Sequence, residues 1–127
     1  MKYFLFCLFL ICFFSTALHA QKTAEYTYPE DAIADTAKKS FLKQFMQGKV
    51  LYRISCSKCH TMNVNGKPVI PDFSLPQLMD YEMRLYPQHV EELPDTKLAD
   101  GELQKIIVYL RYKARTGVYI HPPPKEQ

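Results

Sequence analysis

The chain has 127 residues, with 16 Lys plus Arg against 13 Asp plus Glu and a net charge of +3. That length accommodates one domain. The near balance of charge, with no basic run interleaved with stacking aromatics, excludes a nucleic-acid surface.

Residues 1–20 differ from everything after them. Lys2 gives a positive start, residues 3–14 are an unbroken apolar run, and Ser15 to Ala20 are smaller and more polar. This is the order of a secretory signal peptide. Cleavage is expected after Ala20, with Ala17 as the second choice. An uncleaved membrane anchor is the alternative, but the run is short of the roughly 20 residues that a span needs. The expected location is therefore exported, periplasmic or otherwise extracytoplasmic. Cys7 and Cys12 leave with the signal, and neither follows the small residue of a lipoprotein site. Only Cys56 and Cys59 remain, too few for a disulfide framework.

Residues 21–35 are polar, with Tyr26, Tyr28 and Pro29, and read as an extended or loose arm. Asp35 or Thr36 is then expected to cap a helix. Its apolar positions are Phe41, Leu42, Phe45, Met46, Val50 and Leu51, close to a period of 3.6. Gly48 interrupts it, at a cost of about 1 kcal/mol in an isolated helix.

The next stretch is Cys56-Ser57-Lys58-Cys59-His60. It reads C-x-x-C-H, the pattern of covalent haem attachment. Two thiols three positions apart share one side of a helical turn, and each can add to a vinyl group of one porphyrin. His60 then presents its imidazole to the iron as the proximal ligand. A zinc site would need a further strong ligand, and no second C-x-x-C exists. A thioredoxin-like site would expect alternating strands and helices around the motif.

Residues 61–73 read as a turn-rich loop punctuated by Asn65-Gly66. Ser74 is expected to cap a short helix with Pro76 in its first turn. Leu75, Leu78, Met79, Glu82 and Leu85 follow, and Pro87 is expected to end it. Residues 88–97 read as a loop holding His89. Asp100 is expected to cap the last helix, with Leu103, Ile106, Ile107, Leu110 and Ala114 as its apolar stripe. Tyr109 and Tyr112 flank that stripe, and Gly117 is expected to close the helix. Residues 118–127 form a Pro-rich tail. No internal repeat is visible.

The C-x-x-C-H motif, G-K-V-L-Y-R-I-S-C at 48–56 and L-A-D-G-E-L-Q-K-I-I-V-Y-L-R-Y-K at 98–113 resemble the monohaem, class I c-type cytochromes. The resemblance covers residues 36–117. It implies an all-α fold, a small bundle of three to four helices around one covalently bound haem c and its iron. It implies that Cys56, Cys59 and His60 hold the haem, and that Gly48 and Tyr52 lie where the last helix crosses the first. Tyr109-Leu110 matches the pair that packs on the first helix. Pro71, or else Pro68, would hold a backbone carbonyl near the other nitrogen of His60.

The implied function is electron transfer with iron cycling between Fe(III) and Fe(II), with no enzymatic activity and no small-molecule substrate. Implied partners are redox proteins, including respiratory membrane complexes, and the membrane itself only if the N-terminal segment stays. Lys105, Arg111, Lys113 and Arg115 would steer an acidic partner or form a plain solvated face. The rivals are a haem-based ligand binder or sensor, a haem subunit of a larger oxidoreductase, and a zinc or thiol protein without haem.

The chain departs from the family pattern at the distal position. No Met lies between Pro87 and Asp100, where the family usually places its ligand. The candidates are His89 in the loop, Met83 or Met79 on the short helix, or an open site. Met62 is too close to His60 to cross the ring, and His121 lies in the tail. Two imidazoles hold the potential lower, whereas Met/His ligation raises it.

Overall fold

A computed structural model describes residues 24–119. Residues 1–20, read above as a signal peptide, and residues 120–127, with His121, lie outside the described residues. Among the described residues no helix is long and apolar enough to cross a membrane. The chain is mostly helical: α1 (Asp35–Ser55), α2 (Ser57–His60), α3 (Leu75–Asp80), a π-helical turn (Tyr81–Leu85), α4 (Tyr86–Glu92), a 3-10 turn (Pro94–Thr96) and α5 (Glu102–Tyr112).

The expected all-α fold needs one amendment. Strands β1 (Met62–Val64) and β2 (Lys67–Val69) form an antiparallel hairpin in which Met62 pairs with Val69. Asn65 and Gly66 connect them with φ of 52° and 79°, the positive pair that a tight hairpin turn requires. The loop expected here is thus a paired ribbon, and its punctuation is where the sequence put it.

The core is the crossing of α1 and α5. A Cβ on Gly48 would lie 1.9 Å from the Lys105 carbonyl oxygen, so only glycine allows this approach. That contact turns α1 about its axis. Its buried face is Phe41, Phe45, Gly48 and Tyr52. The expected positions Met46 and Val50 are 46% and 47% exposed. On α5 the buried residues are Leu103, Ile106, Tyr109 and Leu110, so Tyr109 sits in the seam with Leu110, where the resemblance placed the pair, although the apolar period alone set it at the flank. Burying each large apolar side chain contributes about 1.5–3 kcal/mol.

Several helix ends differ from expectation. Neither Asp35 nor Thr36 caps α1. The N-cap is Ala34, without a side-chain bond, and Asp35 stands in the first turn, where its charge suits the helix dipole. Asp100 does not cap α5. Gly101 is the N-cap, in a left-handed conformation, and the Glu102 carboxylate accepts the Ala99 N–H at 2.8 Å. Ser74 does cap α3: its hydroxyl accepts the Gln77 N–H, and the Gln77 side chain accepts the Ser74 N–H at 2.8 Å.

Helix α5 ends at Tyr112, so Ala114 leaves the stripe and Gly117 is not its terminator. The reason is non-local. The arm, expected to be extended or loose, runs extended and antiparallel to the end of α5. Thr27 N–H donates to the Tyr112 carbonyl (2.9 Å) and Ala114 N–H to the Glu25 carbonyl (2.8 Å). The Tyr26 ring packs on Phe45 with centroids 5.0 Å apart.

Asp72 fastens the other side. Its side chain accepts Lys113 Nζ at 2.5 Å and the N–H groups of Thr116 and Gly117 at 2.8 Å each. Its own N–H donates to the Val118 carbonyl. Asp72 and Lys113 are both buried. Lys113 is therefore not free to steer a partner, and Arg115 is turned back onto the Phe73 carbonyl at 3.0 Å. Of the four steering cations, two serve the fold.

Candidate functional site

The C-x-x-C-H motif occupies the short turn after α1. His60 N–H donates to the Cys56 carbonyl at 2.9 Å, closing one helical turn, after which Thr61 is extended. Cys56 and His60 face an apolar cleft beside α1 and α5. Cys59 is exposed at the rim side of the same turn and does not line the cleft. Both thiols are free.

The opposite wall comes from the segment after Ser74. Leu78 on α3, Tyr81 in the π turn, and Tyr86 and His89 on α4 all line the cleft. The π turn explains this placement. Pro87 has no N–H, and its ring would collide with the Met83 carbonyl four residues back. The helix widens instead, and Tyr86 N–H donates to the Tyr81 carbonyl five residues back. One extra residue enters the turn without ending the helix. Pro87 thus starts α4 where it was expected to stop the preceding helix, and His89 is helical where a loop was expected. Single π turns of this kind are frequent at functional sites.

The His60 and His89 ring centres are 6.3 Å apart, their planes inclined by 43°. Two imidazoles on opposite sides of one metal ion, each bound at about 2.0 Å, have ring centres about 6 Å apart. Burial, and then the neighbouring His89, lower the pKa of His60, which favours the neutral, ligating form. Burial pushes the Cys56 thiol up to about 11. Burial also pushes Tyr81 up to about 12, with smaller contributions from Cys56 and Tyr86. The Tyr86 hydroxyl accepts the Leu98 N–H at 2.8 Å and pins the loop before α5 to this wall.

The cleft has a cavity volume of about 100 Å³. Its floor is Leu103, Ile106 and Leu110 of α5, with Phe73 beside them. The lining would suit a haem held through Cys56, with one imidazole on each wall and apolar side chains between, while Cys59 stands outside the cleft on the same turn.

Comparison with protein-family models, curated proteins and solved structures gives no match.

The remaining predicted residues lie elsewhere. Met79 is 52% exposed and Met83 75% exposed, and neither lines the cleft. Met62 is on the hairpin. Pro71 is fully buried, whereas Pro68 is exposed in β2. Among the described residues no three His, Cys, Asp or Glu side chains converge to hold a metal ion. Sequence reasoning missed Tyr81 and Tyr86. Their spacing of five fits no α-helical face, and the available signal was Pro87 falling within a continuing apolar pattern.

Proposed function

We propose that this chain is an exported monohaem c-type cytochrome whose function is electron transfer. The observation that carries the reading is the shared cleft: Cys56 and His60 of the C-x-x-C-H turn line it, and His89 lines it too, with its ring centre 6.3 Å from that of His60. A zinc ion asks the protein for three or four ligands. A porphyrin brings four nitrogens of its own and asks for two, which matches a pair of imidazoles where no larger ligand cluster forms among the described residues.

Cys56 and Cys59 would hold the haem by thioethers, each S–H adding across a vinyl double bond. His60 and His89 would take the two axial positions. Haem, when bound, supplies a one-electron Fe(III)/Fe(II) couple, at the lower potentials that two imidazoles favour. Leu78, Leu103, Ile106 and Leu110 exclude water from the slot. With His60 and His89 both holding the iron, the site would favour electron transfer over small-ligand binding. Redox proteins are the natural partners, through small and transient interfaces.

The test is expression with export and haem-attachment machinery, followed by spectra of the wild type, His89→Ala and Met83→Ala. The wild type should show sharp reduced bands that survive acid-acetone extraction. His89→Ala should become high-spin and bind carbon monoxide in the reduced state, while Met83→Ala keeps the wild-type spectrum. A colourless wild type sinks the haem reading. A spectrum altered only in Met83→Ala sinks the assignment of His89.

A further inference from the structure

Tyr52 touches both ends of the haem-attachment motif. Its backbone carbonyl accepts the N–H of Cys56, the first residue, at 2.9 Å. Its hydroxyl donates to the carbonyl of His60, the last residue, also at 2.9 Å. The chain turns extended at Thr61, so no later helical N–H is in line to satisfy the His60 carbonyl. A side chain from the preceding helix caps the turn instead. Tyr52 itself is held rigidly. It is 2% exposed, and its ring packs against Tyr109 of α5 at 5.8 Å. Burial keeps the phenol far above its ordinary pKa, so it stays a neutral donor at any physiological pH.

We infer that Tyr52 is a positioning residue that clamps the Cys56–His60 turn to the α1–α5 core and thereby fixes the orientation of the His60 imidazole. Only a tyrosine at this position does both jobs. A phenylalanine would keep the ring in the core and the Cys56 bond, since that bond uses the backbone. It would leave the His60 carbonyl without its donor, and the turn would be tied at one end only. The inference rests on the haem reading for its consequence at the iron, but the clamp itself is a property of the polypeptide.

The experiment compares the wild type, Tyr52→Phe and Tyr109→Phe as isolated full chains. Tyr109→Phe removes a hydroxyl from the same core without touching the motif. Two quantities are read: hydrogen exchange of the amides at 56–61, and the midpoint potential of the haem-loaded protein. Loss of one hydrogen bond worth about 1 kcal/mol corresponds to roughly fivefold faster exchange through local opening. The expected result is such acceleration at 56–61 in Tyr52→Phe alone, with a lower potential because a looser turn lets water nearer the ring. A purely structural role for the hydroxyl would lower the melting temperature and leave the potential unmoved.

Exchange at 56–61 that matches the wild type overturns the clamp. So does an equal acceleration in Tyr109→Phe, or an unchanged potential in a loaded Tyr52→Phe. If the wild type carries no haem, the haem reading fails, and the exchange comparison alone decides the clamp.

Discussion

Replacing Asp72 by alanine removes the acceptor that joins the segment before α3 to the end of α5. Asp72 and Lys113 retain 1% and 6% of their exposure, so the Lys113 ammonium would be left buried without its partner. Breaking a buried ion pair from one side costs about 3–5 kcal/mol, more than the pair itself is worth. The Thr116 and Gly117 N–H groups lose their acceptor as well. For a domain of roughly 100 residues each kcal/mol lowers the melting temperature by about 4–8 °C. Asp72→Ala should therefore melt at least about 12 °C below the wild type by circular dichroism.

The double variant Asp72→Ala/Lys113→Met removes the orphaned charge and should recover about 2 kcal/mol of that loss. The pH dependence follows the same pair. Burial pushes the Asp72 carboxyl up, but the Lys113 bond and the Gly117 and Thr116 amides outweigh it and leave the pKa lowered. A depressed carboxylate contributes stability above the unfolded value, about 4, and loses it as pH falls through the folded value. The gap between wild type and Asp72→Ala should be full at neutral pH and shrink below about pH 4. A loss under about 1 kcal/mol, or a double variant no more stable than the single, would refute the reasoning.

Gly48→Ala would stabilise an isolated helix, but here it should cost about 3 kcal/mol or more in urea unfolding, because the new methyl meets the Lys105 carbonyl. A stable Gly48→Ala would mean that α1 and α5 cross less closely than described. Pro87→Ala restores an N–H able to bond the Met83 carbonyl. The π turn should then close to α and swing His89 from the cleft, with the loaded protein taking on the high-spin spectrum of His89→Ala. An unchanged spectrum would show that Pro87 is not what sustains the π turn. Gly66→Ala should cost about 1–2 kcal/mol in thermal melts, since its φ of +79° strains an L-residue although the space around it is open.

Much of the local structure was legible because its causes are local. The Asn65-Gly66 turn, the Ser74 start of α3 and the apolar stripe of α5 each depend on a few consecutive residues and their intrinsic preferences. The C-x-x-C-H turn belongs with them, since thiol and imidazole spacing is set within five residues. The face of α1 was legible in part: Phe41 and Phe45 came from the period and Gly48 and Tyr52 from the resemblance, but Met46 and Val50 were included with them. Apolar side chains are abundant all round that helix, and what selects Phe41, Phe45 and Tyr52 over Met46 and Val50 is the approach of Lys105 to Gly48.

The sequence by itself determined the chemistry that the chain carries: two thiols, an adjacent imidazole, and helices able to bury an apolar group. Tertiary structure decided what faces that chemistry. His89 and Met83 have equal standing as letters, yet one lines the cleft and the other is 75% exposed, separated by one π turn that Pro87 imposes on a helix packed against α5. The arm and Asp72 likewise gain their roles only by contacts with residues more than forty positions away. Such contacts form because buried polar groups must find partners wherever the packed chain brings them, and no short-range preference encodes that meeting.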